Sequence, residues 1–149
     1  MSEWAEAPLE TFLERITYGF TNPMPTVSAG PYMITAKDIN HGRILYEQAR
    51  STSEKAFEAL LTDKSRPNVG DVLVTKDGTL GRIAIVDRER TCINQSIALL
   101  QPNSSIRSRF LKYLLEEPRN FAKMLGEADR IVSLPPSARS TTRSTSTAA

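Results

Sequence analysis

A chain of 149 residues, 40% of them apolar, has the size and composition of one domain able to bury a core, which excludes a fibrous or structureless chain. One cysteine, Cys92, excludes an internal disulfide. One histidine, His41, leaves no imidazole cluster for a metal, so a metalloenzyme would have to rely on carboxylates alone. The formal charge is +2, with both units supplied by Arg139 and Arg143, so bulk charge does not announce nucleic-acid binding.

Charge is nevertheless uneven along the chain. Glu3, Glu6, Glu10 and Glu14 crowd the start against Arg15 alone, whereas residues 30 to 109 carry twelve Lys and Arg against nine Asp and Glu. A modest basic face opposite an acidic end is expected. The acidic N-terminus lacks the basic start and apolar stretch of a signal sequence, and runs such as Ile83 to Val86 and Ile97 to Leu100 are too short to cross a bilayer. The expected location is cytoplasmic, with no membrane partner.

In chain order, Leu9, Phe12, Leu13 and Ile16 fall at i, i+3, i+4 and i+7, with Pro8 at the opening and Gly19 where a helix would stop; this predicts a short amphipathic helix. Residues 21 to 31, with three prolines, read as an extended loop. A strand follows from Tyr32 to Lys37, with Met33, Thr35 and Lys37 on its more polar side. Asn40-His41-Gly42 makes a turn and Arg43 to Tyr46 a short strand. Ser51 to Glu54 has capping-box spacing and opens a helix of about ten residues with Phe57, Leu60 and Leu61 on its apolar face. After the turn Pro67 to Asp71 come strands near Val72 to Thr75, Arg82 to Val86, Thr91 to Ile93 and Ser96 to Leu100. Such close spacing favours an antiparallel or mixed sheet over βαβ units.

Asn103-Ser104-Ser105 can cap a helix lined by Ile106, Phe110, Leu111, Leu114 and Leu115, and Pro118 opens a second helix ending near Gly126. Residues 137–149 contain only Ser, Thr, Ala and Arg, a composition that cannot bury a core and is expected to be disordered. The expected fold class is α+β, a mixed or antiparallel sheet with flanking helices. Residues 1–136 form the domain and 137–149 the tail.

Three places concentrate polar groups. Lys76 to Arg82 puts two glycines, two cations and a hydroxyl within seven residues. Glycines let backbone amides approach a phosphate, Thr79 can donate to it, and Lys76 or Arg82 can add charge or read a guanine edge. A plain hairpin turn with Asp77-Gly78 at its tip and solvated cations explains the same residues. It lacks the Gly-Lys-Ser/Thr ending of a nucleotide-binding loop. Asn94-Gln95-Ser96 interrupts two apolar strands; such amides can pair with adenine or satisfy backbone groups in a tight connection, and Gln95 is read as structural. Thr35, Lys37, Asp38, Asn40, His41 and Arg43 cluster around the first strand and its turn, where donors could follow a phosphate backbone or simply face water.

Catalytic chemistry finds no constellation. His41 beside Gly42 reads as a solvated turn residue with no Ser or Cys paired to it, and Cys92 as a buried inert thiol. Trp4 and Tyr18 are expected to pack the first helix, since no interleaved aromatic pattern for single strands is present.

The run from Gly70 to Gly81, with Gly70-Asp71, Leu73, Thr75, Gly78-Thr79 and Gly81, followed by Ile93-Asn94-Gln95-Ser96, Ala98, Leu100 and Pro102, resembles the target recognition domain of type I restriction-modification specificity subunits. Gly30-Pro31-Tyr32 to Asp38-Ile39, the Leu9 to Gly19 segment after Trp4, and Phe110 to Leu115 are similar to further elements in the family's order, so the resemblance covers about residues 4 to 125. It implies a non-catalytic reader of double-stranded DNA whose contacts come from Lys37, Arg43, Lys76, Gly78, Thr79 and Arg82. It also implies that S-adenosylmethionine, magnesium and ATP belong to partner methyltransferase and restriction subunits, with no cofactor in this chain. In the family two such domains alternate with two long antiparallel helices that dock the methyltransferase. Leu134-Pro135-Pro136 looks like the start of one, but Ser137 to Ala149 departs from it without heptads. Either the chain is a truncated or half-size subunit or the tail is a frame-shifted or engineered end; the expectation is a reader of half a bipartite target, with itself or another specificity subunit as a candidate pairing partner. The alternative is an interaction module that pairs with or inhibits an intact specificity subunit without binding DNA.

Overall fold

Strand-forming Val, Ile and Leu dominate the middle of the chain, and the computed structural model, which describes residues 5–76, 82–120 and 131–134, uses them as strands. In chain order these are β1 (Ala5–Pro8), β2 (Leu13–Tyr18), β3 (Val27–Ile34), β4 (Ile39–Asn40), β5 (Arg43–Ile44) and β6 (Arg50–Ser51), then helix α1 (Glu54–Ala59). There follow β7 (Val72–Thr75), β8 (Ile83–Ile85), β9 (Thr91–Ile93), β10 (Ile97–Pro102), helix α2 (Ser108–Glu116) and β11 (Ile131–Leu134). Among these, β2, β10, β7 and β8 form an antiparallel sheet in that order; β3 pairs antiparallel with β6 and parallel with β9; β4 and β5 form a hairpin; and β11 pairs antiparallel with β1. The expected α+β class with a mixed or antiparallel sheet therefore holds.

The first helix does not form. Leu9 to Phe12 make a single 3₁₀ turn that buries Leu9 and Phe12, and the chain then extends as β2, with Ile16 opposite Leu100 and Tyr18 opposite Ala98. Four apolar positions at helical spacing are satisfied equally by one tight turn followed by a strand. The β-branched and aromatic run Ile16-Thr17-Tyr18 and the open edge of β10 favour the strand.

Two other helix starts move. Ser51 pairs with β3 instead of capping, and Ser53 caps α1 by accepting a hydrogen bond from the Ala56 amide at 3.1 Å. The helix is six residues, not about ten, and Leu60 is left 53% exposed beyond it. Asn103 closes a turn by accepting from the Ser105 amide and hydroxyl, so α2 begins only at Ser108. A second helical stretch begins at Pro118, as expected, and is described through Asn120. Its expected end near Gly126, the tail 137–149 and Trp4 lie outside the described residues.

Within the β2-β10-β7-β8 sheet, β7, β8 and the start of β10 are covered on both faces, which explains why they read as continuous apolar runs without alternation. Val72, Val74, Ile83, Ala98 and Leu100 pack with Leu111, Leu114 and Leu115 of α2 and with Leu9, Phe12 and Leu13. Leu73, Ala84, Val86, Ile97 and Leu99 face the other way and pack with Ile34, Ile93, Ile39, Ile44 and Tyr46. A third cluster, Met33, Phe57, Leu61 and Cys92, seats α1 on β3. Asp71, at the entrance to β7, accepts from the Asn68 amide at 2.9 Å, and burial raises its pKa.

Leu73 is fully buried at the centre of the second layer. Leu73→Ala is expected to cost about 2–5 kcal/mol in denaturant unfolding; a loss no larger than that of a surface change, within roughly 0.5 kcal/mol, would contradict this packing.

Candidate nucleic-acid interface

The connection after β3 is built by a carboxylate that turns inward. Asp38 is 1% exposed and accepts from the Thr35 amide at 2.9 Å, the Thr35 hydroxyl at 3.1 Å and the Gln48 side-chain amide at 3.0 Å. This closes a 3₁₀ turn, Ala36–Asp38, and leaves Lys37 exposed at its outer corner. Thr35 and Asp38, expected among the polar groups along a phosphate path, are engaged in the turn itself. Beyond them the β4–β5 hairpin reverses at His41 and Gly42, both left-handed with φ of 54° and 76°, as a two-residue hairpin turn requires.

Asn94-Gln95-Ser96 divides by role. The Asn94 side-chain oxygen accepts from the Ser96 amide and hydroxyl, and the Ser96 hydroxyl oxygen accepts from the Ala36 amide at 3.0 Å. The Asn94 amide donates to the Ile34 carbonyl, and the Ser96 carbonyl accepts from the Lys76 amide at 2.9 Å. Asn94 and Ser96 thus tie the Ala36–Asp38 turn to the end of β7, the structural role open to them in the sequence. Gln95 takes no part through its side chain; it is exposed, and its carbonyl accepts from Lys76 Nζ at 3.4 Å.

β7 and β8 pair as the expected hairpin arms, with the Thr75 amide donating to the Arg82 carbonyl and the Arg82 amide to the Thr75 hydroxyl, both at 2.9 Å. The Arg82 guanidinium reaches the Ile39 carbonyl at 3.1 Å, so it braces β4 as well as carrying charge. Lys76 Nζ lies 5.2 Å over the Tyr18 ring. Tyr18 ends β2 at the surface, 38% exposed, and does not pack a helix. Gly78 and Thr79 lie outside the described residues.

Lys37, Lys76 and Arg82 are therefore gathered around the 94–96 connection at one end of the fold. Arg43 is not with them. It stands opposite Asn40 in the hairpin and lines a separate open cavity of about 510 Å³ with Arg109, Lys112 and Tyr113. Lys112 there is paired with Glu116 at 2.8 Å.

One cation beside the first group was not singled out by sequence. Arg50 sits opposite Met33 through the β3–β6 pairing and lines a groove of about 250 Å³ with Lys37 and Gln95, floored by Phe20, Met24 and Met33. Only the strand pairing brings residue 50 to residue 37, and nothing in the local sequence of Arg50 signals it.

Other chemistry has little footing. Cys92 is fully buried and burial pushes its thiol up to about 12, which keeps it protonated and inert at neutral pH. Burial likewise raises the Tyr46 phenol, whose oxygen accepts from the Asp87 amide. Among the described residues no group of His, Cys, Asp and Glu is arranged to hold a metal, and no helix is long and apolar enough to cross a membrane.

No protein-family model matches the chain. It is 30% identical over 109 residues, 70% of its length, to the type I restriction enzyme EcoBI specificity subunit of Escherichia coli, of which it spans 22%. Its fold is similar to the HsdS subunit of Thermoanaerobacter tengcongensis, with a TM-score of 0.63 at 20% identity over 97% of this chain and 36% of that one. The type I restriction-modification S subunit of M. genitalium is similar at a TM-score of 0.53 and 16% identity over 91% of this chain and 32% of that one. The chain thus spans about a fifth to a third of these proteins.

Gly19, read in the sequence as a helix stop, has a different reason to be glycine: a Cβ there would lie 2.1 Å from the Asn94 carbonyl oxygen. Gly19→Ala must push apart β2 and the 94–96 connection, and is expected to cost at least about 1–3 kcal/mol in unfolding experiments. A neutral substitution would show that this connection is not held as described.

Proposed function

We propose, from a likeness to the target recognition domain of type I restriction-modification specificity subunits that holds in both sequence and fold, that this chain reads the sequence of a double-stranded DNA half-site. The observation that carries the reading is the convergence of loops distant in sequence. Lys37, Lys76 and Arg82 meet around Asn94 to Ser96 because Ala36 bonds to Ser96, Lys76 to Gln95 and Arg82 to Ile39. Recognition of a duplex needs cations for the phosphates and rigidly held polar groups for the base edges, side by side. This end of the fold supports both.

In this reading the turn from Lys76 through Gly78 and Thr79 to Arg82 enters the major groove, with Lys37 on the backbone. Arg43 reaches the duplex from the far side of the β4–β5 hairpin. The chain makes and breaks no bonds. S-adenosylmethionine, magnesium and ATP belong to the methyltransferase and restriction subunits it would assemble with, and a second recognition domain, from another copy or another specificity subunit, supplies the other half-site. Half a target buries a small interface, so affinity for an isolated duplex is weak.

The test is selection of the purified chain against a randomised duplex pool at low salt, with a Lys76→Ala/Arg82→Ala variant whose thermal melting is followed in parallel. Enrichment of a short motif that vanishes in a folded variant is expected, since each good bidentate contact contributes about 1–3 kcal/mol of discrimination. Retention of no duplex, or retention without a motif, would contradict the proposal and favour an interaction module that acts on an intact specificity subunit.

A further inference from the structure

We infer that the groove between the 20–26 loop and the Ala36–Asp38 turn is a clamp for one DNA backbone strand, gripping phosphates through Lys37, Arg50 and the Gln95 amide and contributing nothing to the choice of sequence. This inference rests on the DNA-reading proposal and divides the labour within it.

The first ground is charge. Several arginines elsewhere on the described surface are matched with carboxylates: Arg66 with Glu58 and Asp63, Arg88 with Glu47, Arg90 with Glu54 and Glu58, and Arg119 with Glu117. Arg66, Arg88 and Arg90 also lie over aromatic rings. Lys37 and Arg50 are exposed, line one groove, and have no acidic partner among the described residues. The carboxylate nearest them in the lining, Asp38, is buried and accepts three hydrogen bonds from within the fold. The groove therefore presents positive charge outward, and an anion is what it complements.

The second ground is shape. Base edges lie at the floor of a major groove about 8.5 Å deep, which a protruding element can reach and a concave one cannot. A hollow of about 250 Å³ fits the convex ridge of a phosphodiester strand. Its neutral donors suit the same ligand: Gln95 carries a side-chain amide with no partner among the described residues, and Thr21 and Thr26 line the same groove.

The third ground is that the wall is held in place before any ligand arrives. Pro23 and Pro25 restrict the loop, and the buried Thr52 hydroxyl donates to the Pro25 carbonyl at 2.8 Å. The Asn94–Ser96 bonds fix the backbone that carries Gln95. A preorganised groove loses little ordering entropy on binding.

Sequence-independent grip and base reading respond differently to mutation. Binding of the full chain to its best selected duplex and to a scrambled duplex of equal length is measured over a range of salt, for wild type, Lys37→Ala/Arg50→Ala and Gln95→Ala. All these side chains are exposed, so the variants fold, which thermal melting checks. The expected result is an equal fall in affinity for both duplexes, tenfold or more for the double variant at low salt. The preference between duplexes stays unchanged, and the slope of log K against log salt is shallower by about 2. Wild-type binding that the double variant leaves unaltered would overturn the clamp while sparing the DNA-reading proposal, as would a collapsed preference at unchanged slope. A wild-type chain that binds neither duplex would overturn both.

Discussion

Burial on both faces of the inner strands of one four-stranded sheet is the constraint on which the rest of the structure depends. β7 and β10 sit in its middle, and successive residues along them alternate between a layer closed by α2 and the N-terminal turn and a layer closed by β3, β9 and the β4–β5 hairpin. Because side chains on a strand alternate strictly, a one-residue slip would exchange the two layers completely. Register is therefore fixed at Leu73 and Leu99, which face each other across the β7–β10 pair. The end of β7, the start of β10 and the turn after β3 then arrive at one place without choice.

That place is where the chain departs from apolar composition. The second layer ends at Ile34, Ile39, Ile93 and Ile97, and the next residues outward are Thr35 to Asp38 and Asn94 to Ser96. Their short-range hydrogen bonds are made possible by the rigid strands beneath, and the bonds in turn set the positions of Lys37, Lys76 and Gln95. A surface built in this way keeps its loops stiff where they leave the sheet, so exchange of side chains at the loop tips need not disturb the core.

Legibility followed the range of the interactions involved. The four central strands, the Asn40–Gly42 turn, the Pro67–Asp71 turn and the apolar face of α2 could be read from sequence because run length, turn chemistry and helical spacing are local properties. The first helix could not: four apolar positions suited a helix as well as a turn and strand, and the free edge of β10, eighty residues away in sequence, decided it. Helix starts shifted for a similar reason, since Ser51, Ser53 and Asn103 all have cap chemistry and tertiary pairing selects among them. Within the site, Lys37, Lys76 and Arg82 were visible as cations beside turns. The separation of Arg43 from them and the arrival of Arg50 depend on the β4–β5 and β3–β6 registers. Gln95 is read as structural in the sequence, yet the side chains of Asn94 and Ser96 carry the internal bonds and that of Gln95 does not.

The central claim is that DNA meets the end of the fold where these loops converge, and amide hydrogen exchange of the chain with and without a duplex at low salt tests it most directly. The account predicts slowed exchange confined to residues 20–26, 35–43, 76–82 and 94–96, with β1, β11 and the α1 surface unchanged. Protection along β1 and β11, with the convergent loops unaffected, would contradict it and place the partner, whatever its nature, elsewhere on the molecule.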